Sequence, residues 1–146
     1  MAVTHKLYGP AMKNILDGTV DLGPDTFKVA LMSSGFSFDQ DHEDWADVST
    51  HQISSTGDYT AGGIELTVNS SEITHSTGTG ISTVICSSET VFSTEGTISA
   101  HHAVVYGSTS DKLLSAVDFD GEEASVDGEY KITWTDSKLF TITVST

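Results

Sequence analysis

The stretch DTFKVAL, residues 25–31, carries the pattern that decides the fold: Phe27, Val29 and Leu31 alternate with Lys28 and Ala30. A period of two sends successive side chains to opposite faces of an extended strand, so one face is apolar. The same period returns at Ile64, Leu66 and Val68 around Glu65 and Thr67, and at Tyr130, Ile132 and Trp134 around Lys131 and Thr133. It returns again at Phe140, Ile142 and Val144 around Thr141 and Thr143. Each of these strands is expected to turn one face to a core and the other to solvent. Further strands are expected at Ile81 to Cys86, Val91 to Phe92, Ile98 to Tyr106 and Leu113 to Phe119. Runs such as SSTGD, STGTG, YGSTSD and DGEEASVDGE separate them as turns.

Only one segment reads clearly as a helix. Pro10 suits a first helical turn, Ala11, Met12, Ile15 and Leu16 recur at helical spacing, and Gly18 follows as a stop. A second helical turn fits DQDHEDWADV, Asp39 to Val48, where acids crowd the start and Trp45 and Val48 lie three apart. Short, regularly spaced strands with half-buried alternation predict a mainly β fold, an antiparallel β-sandwich of jelly-roll-like type with one short N-terminal helix. The 20 Ser and 20 Thr suit the solvent faces and turns of such a sheet. Without repeats, heptads or a linker, residues 1–146 read as a single domain, long enough to bury about two-thirds of the surface exposed when unfolded.

Charge narrows the function classes. Against 21 Asp and Glu stand six Lys and no Arg, for a formal net charge of −15. A phosphate-binding protein needs clustered cations to release condensed counterions, so the balance argues against nucleic acid. The same field disfavours anionic membranes. With 37% hydrophobic and 8% aromatic residues the chain has the means to fold. At molar salt the screening length falls to about 3 Å and the self-repulsion of such a surface largely disappears. The composition therefore reads as halophilic, the absence of Arg and scarcity of Lys favouring this over an ordinary acidic extracellular or surface protein kept soluble by its charge. No run approaches the length of a membrane span, and MAVTHKLYGPAMKNIL lacks the apolar core and cleavage-like ending of a secretion signal.

The candidate chemistry is sparse. Cys86 is the only cysteine, which leaves no intramolecular disulfide and reads as a small buried hydrophobe. Six histidines, His5, His42, His51, His75, His101 and His102, show no metal-binding spacing, and neighbours on a regular strand, as His101 and His102 are expected to be, point to opposite faces. Two acidic clusters, Asp39, Asp41 and Glu43, and Asp118, Asp120 and Glu122, have the spacing that opens a calcium loop. The sharp-turn glycine that such a loop requires is replaced by Asp44 in the first and Glu123 in the second. Neither a nucleophile elbow nor a phosphate-binding loop is present, and among 21 acids some pair always lies close enough to imitate a glycosidase. No catalytic, cofactor or metal residue is assigned, and the chain reads as a non-enzyme. GDYTAGG, residues 57–63, precedes the strand pattern IELTV rather than a helix, so Gly62 and Gly63 are expected to permit a tight turn or bulge and Tyr59 to pack at the sheet edge.

The order of THKLYGPAMKNILDGTVDLGPDTFKVALMSS, FDQDHEDWADV and GDYTAGGIELT resembles a family of small structural proteins of tailed bacteriophages and archaeal tailed viruses. There a short helix leads into an Asp-Thr-x-Lys-Val-Ala-Leu strand, followed by an acidic segment and a Gly-Tyr-Thr-Ala-Gly-Gly turn. The likeness continues more weakly through SSETVFSTEGTISAHHAVVYGSTS, LLSAVDFDG and KITWTDSKLFTITV. Departures are the inserted Asp58, Phe92 where Trp is common, and the missing Arg. The resemblance implies a non-enzymatic virion component with a β-sandwich core, and together with the charge it implies a haloarchaeal virus. The expected role is decoration of the capsid exterior as a symmetric oligomer on the major capsid protein, assembled in the host cytoplasm. The short helix and first strand are the expected contacts to a neighbour. Two alternatives are a tail, neck or baseplate component of the same virion, and a receptor- or carbohydrate-binding β-sandwich using Trp45, Trp134 or Tyr106 as its aromatic platform.

Overall fold

The computed structural model describes residues 4–68, 73–135 and 138–143. It is mainly β, with two antiparallel sheets and two short helices. Strands β1 (Thr4–Leu7), β2 (Phe27–Met32), β3 (Ile64–Leu66), β6 (Glu89–Gly107) and β7 (Lys112–Thr133) form a five-stranded sheet in the order β1-β7-β6-β2-β3. A smaller sheet joins β4 (Thr74–Ser76), β5 (Ile81–Ile85) and β8 (Lys138–Thr143) in the order β4-β5-β8. Helix α1 (Gly9–Leu16) follows β1, with Pro10 in its first turn; Gly18, at φ +80°, stands just beyond its end and donates its N–H to the Ile15 carbonyl. Helix α2 (Trp45–Val48) is a single turn between β2 and β3. Val144, assigned above to the last strand, lies outside the described residues.

One antiparallel ribbon organises both sheets. Ile81 pairs with Thr143 and Val84 with Phe140 in the small sheet; then Glu89 pairs with Thr133, and the pairing continues to Gly107 opposite Lys112 in the large one. The chain reverses at 108–111, where Asp111 takes a φ of +59°. The stretches Val91 to Phe92 and Ile98 to Tyr106, expected as separate strands, are thus parts of β6. DGEEASVDGE, expected as a turn, lies inside β7. Its Asp and Gly residues do take turn-like values, φ +59° at Asp120, +138° at Gly121 and +47° at Asp127, but they form bulges. Ala100 pairs with Glu123 and His102 with Asp118, so His101 alone stands opposite the four residues 119–122. The regular alternation that would separate His101 from His102 therefore breaks at this position.

The large sheet is buried on both faces at its centre. Val29, Leu31, Val105 and Val117 join Val84, Leu139 and Phe140 of the small sheet in one core, together with Phe92, Ile98, Tyr130 and Trp134. Each fully buried side chain of this kind contributes about 1.5–3 kcal/mol relative to its exposed state. On the opposite face Ala30, Met32, Val104, Tyr106 and Leu113 pack against Tyr8, Ala11, Phe36 and Val48, with Phe38 and Trp45 half-buried at the margin. The expectation of a solvated second face is thus wrong for β2, where even Ala30 is fully buried. The reason is the chain between β2 and β3, whose aromatic residues fold back over that face. Among the described residues no helix is long and apolar enough to cross a membrane.

Candidate functional site

GDYTAGG acts on backbone geometry. Thr56 and Tyr59 exchange two N–H···O=C bonds of 3.0 Å around Gly57 and Asp58, a two-residue turn whose first central residue, Gly57, has φ +56°. Tyr59 is buried, and its hydroxyl accepts the Leu31 N–H at 3.0 Å, satisfying a donor of β2 past the end of β3. Gly62 donates its N–H to Gln52 Oε1 at 2.6 Å and its carbonyl accepts the Tyr106 hydroxyl at 2.6 Å. At Gly63, with φ +96°, an added Cβ would lie 2.3 Å from the Val29 carbonyl oxygen, so only glycine admits this approach. The stretch binds the chain to itself.

The acids are used the same way. Asp47 Oδ2 accepts the N–H groups of Glu43 and Asp44, which hold its carboxyl below the usual range. Lys112 Nζ lies 3.2 Å from Glu43 and 2.6 Å from Asp44, and Asp39 accepts the Asp41 N–H. In the second cluster Asp118 accepts the Asp120 N–H across the bulge, and Glu122 accepts the Ser99 hydroxyl. The first cluster caps the turn before α2 and the second lies at the β7 bulge, with Asp39, Glu43, Asp44, Asp118 and Glu122 each engaged locally. Among the described residues no group of three or more His, Cys, Asp or Glu converges as a metal site would require.

The histidines are dispersed. His5 tilts against Trp134, His75 meets Ser82 across β4 and β5, and His102 packs on Phe36 with Nε2 3.5 Å from Asp118. Burial pushes His102 below its ordinary value despite the opposing pull of Asp118. Cys86 is buried and its thiol is pushed up to about 11 by desolvation, far from the thiolate that nucleophilic chemistry requires. Of the aromatic trio, Trp134 lies in the core and donates Nε1–H to Thr90 at 2.9 Å. Trp45 stacks on Tyr106 with ring centres 4.1 Å apart, covering Tyr106 instead of forming a shared platform with it.

A further concavity lies elsewhere, along β7, and no motif marked it. An open groove of about 440 Å³ is lined by Val117, Phe119, Glu123, Ala124 and the consecutive residues Glu129 to Thr133. Side chains on a strand alternate between faces, so five consecutive lining residues place the groove against the strand's edge. β1 covers that edge only from Ser115 to Asp118; among the described residues nothing pairs with it beyond. Tyr130 forms part of the floor, with its hydroxyl pushed up by burial and by Glu123. Lys131 is shared between Glu89 at 3.3 Å and Glu129 at 3.1 Å, whereas the sheltered Oε1 of Glu123 has no hydrogen-bond donor among the described residues. The bulge at 119–122 separates the two parts of the lining, which share one strand, and that continuity was invisible while DGEEASVDGE read as a turn. No family model, curated protein or solved structure matches the chain.

Proposed function

We propose that this chain is a non-enzymatic structural protein of a tailed-virus particle that decorates the outside of the capsid as a symmetric oligomer seated on the major capsid protein. The observation that carries the reading is the distribution of surface groups on a self-contained β body. Lys13, Lys112 and Lys131 are each held by acids of the same chain, and Lys6 sits over the Phe38 ring, so the remaining acids present an unbalanced negative exterior. Such a surface stays hydrated and dispersed in brine and repels polyanions. All four residues of β1 are exposed, its outer edge is unpaired among the described residues, and Leu16 at the end of α1 is 79% exposed. An edge strand and an exposed apolar side chain at one end of the chain suit contact with a neighbouring subunit.

The shared core between the two sheets, threaded by one antiparallel ribbon, supports a β-sandwich of jelly-roll-like type. The resemblance in the helix, the DTFKVAL strand and the GDYTAGG turn supports the virion assignment. Mass spectrometry of density-purified particles, before and after surface labelling of lysines, tests it. The chain should be present in many copies per particle and labelled on intact capsids. Its absence from purified particles would sink the reading, and labelling only in isolated tails would favour a tail, neck or baseplate role.

A further inference from the structure

We infer that the groove along the open edge of β7 receives an extended segment of a partner protein, which adds a strand beside Gly128 to Thr133 and places a Lys or Arg side chain against Glu123. Three features of the groove converge on this occupant. Lys131 to Thr133 pair one-for-one with Val91 to Glu89, and at the two register shifts between Val91 and Gly96 the extra residues belong to β6, so Gly128 to Thr133 of β7 carry no inserted residue and span about 20 Å, enough for a short added strand. Their outer edge is unpaired among the described residues, so its backbone donors and acceptors are available to an incoming chain. The groove then supplies pockets for alternate side chains on an apolar floor that includes Phe119 and Tyr130.

Charge selects the partner. Lys131 is already shared by Glu89 and Glu129, so those acids are balanced locally. Glu123 has no cation within ion-pair distance among the described residues, and its Oε1 is sheltered from solvent without a donor. A half-desolvated carboxylate is costly until a donor reaches it, and a cationic donor is the strongest available. A second copy of this chain, at net charge −15 with six Lys, is the poorer supplier of that cation. The occupant is therefore a neutral or basic extended arm. This deepens the assembly reading by naming what the chain grips, while its chemistry is testable on the isolated protein.

The probes are blocked peptides about eight residues long, a typical strand length. They alternate Val and Thr around a central Lys, or carry Glu at that position, and are titrated into the full chain in molar potassium chloride while backbone amide shifts are followed. The expected result is perturbation confined to residues 117–133, with the Lys peptide binding about fivefold more tightly than the Glu peptide, the ratio a partly screened ion pair gives. E123Q, nearly the same shape, should remove the preference while both peptides still bind and the thermal midpoint holds. Equal affinity of the two peptides, shifts elsewhere, or no binding at millimolar peptide would overturn the inference. So would a dimer of the free chain, by sedimentation, that already protects the 128–133 amides. Failure of these titrations with the chain present on capsids would remove the groove and leave the decoration reading, whereas binding without particle association would do the reverse.

Discussion

Replacing Gly63 by Ala tests whether the GDYTAGG turn is fixed by backbone contact. The new Cβ would sit 2.3 Å from the Val29 carbonyl oxygen, 2.6 Å from its carbon and 2.9 Å from the Ala30 nitrogen. These are backbone atoms of two fully buried residues of β2, so no side chain can swing aside. Relief requires β3 to move about 1 Å from β2, disrupting the short ladder in which Val29 faces Ile64. Losing one or two such hydrogen bonds costs about 1–3 kcal/mol. The conformation at φ +96° adds about 1–2 kcal/mol for any residue with a Cβ. The sum is about 2–5 kcal/mol, or a fall in Tm of about 5–15 °C for a domain of this size. Gly18→Ala is the control: its φ is +80°, but among the described residues nothing lies within 4 Å of the added Cβ, so only the conformational cost of about 1–2 kcal/mol applies. Urea unfolding of both variants in molar salt measures the difference. Equal destabilisation by the two would refute the argument that close approach to β2 dictates Gly63.

Tyr59→Phe keeps the ring but strands the Leu31 N–H; it should cost about 1–3 kcal/mol and speed amide exchange at Leu31, and an unchanged midpoint would show that the hydroxyl is dispensable. Thermal midpoints should rise from dilute buffer to molar salt as the −15 charge is screened, and a flat or falling curve would contradict the halophilic reading. His102 and His5 are both lowered from 6.5 by burial, so their neutral forms stabilise the fold above that value, and this stability is lost as pH falls from 6.5 through the lowered values. In molar salt, where relief of acidic repulsion is muted, His102→Gln should flatten the loss of stability between neutral pH and about pH 5. An unchanged slope would mean that His102 titrates alike in the folded and unfolded states.

The β periodicity at DTFKVAL, IELTV and KITW was legible because period-two alternation of large apolar residues survives whatever covers the sheet. What covers it was not. Alternation assigns Ala30 to the solvent side, yet Ala30 is fully buried in the cluster formed where the chain carries Phe36 and Trp45 back across the sheet, a folding back that period-two alternation does not encode. The long ribbon was hidden for a different reason. Asp120, Gly121 and Asp127 have the turn-forming preference that the sequence suggested, but pairing on both sides turns them into bulges. The lining of the β7 groove comes from both sides of the 119–122 bulge, so nothing in the sequence placed Glu123 and Tyr130 in one groove. Trp134 was legible as a core residue from its alternation alone, whereas the stacking of Trp45 on Tyr106 required the fold.

The most direct test of the central claim, that this chain decorates a tailed-virus capsid, is a cryo-EM reconstruction of virus particles purified from cells that produce the chain. The account predicts a two-sheet β density on the outer capsid surface, repeated about symmetry axes, with β1 and α1 turned toward neighbouring subunits. A particle whose capsid surface lacks that density, and in which the chain is found only in the tail or not at all, would contradict it.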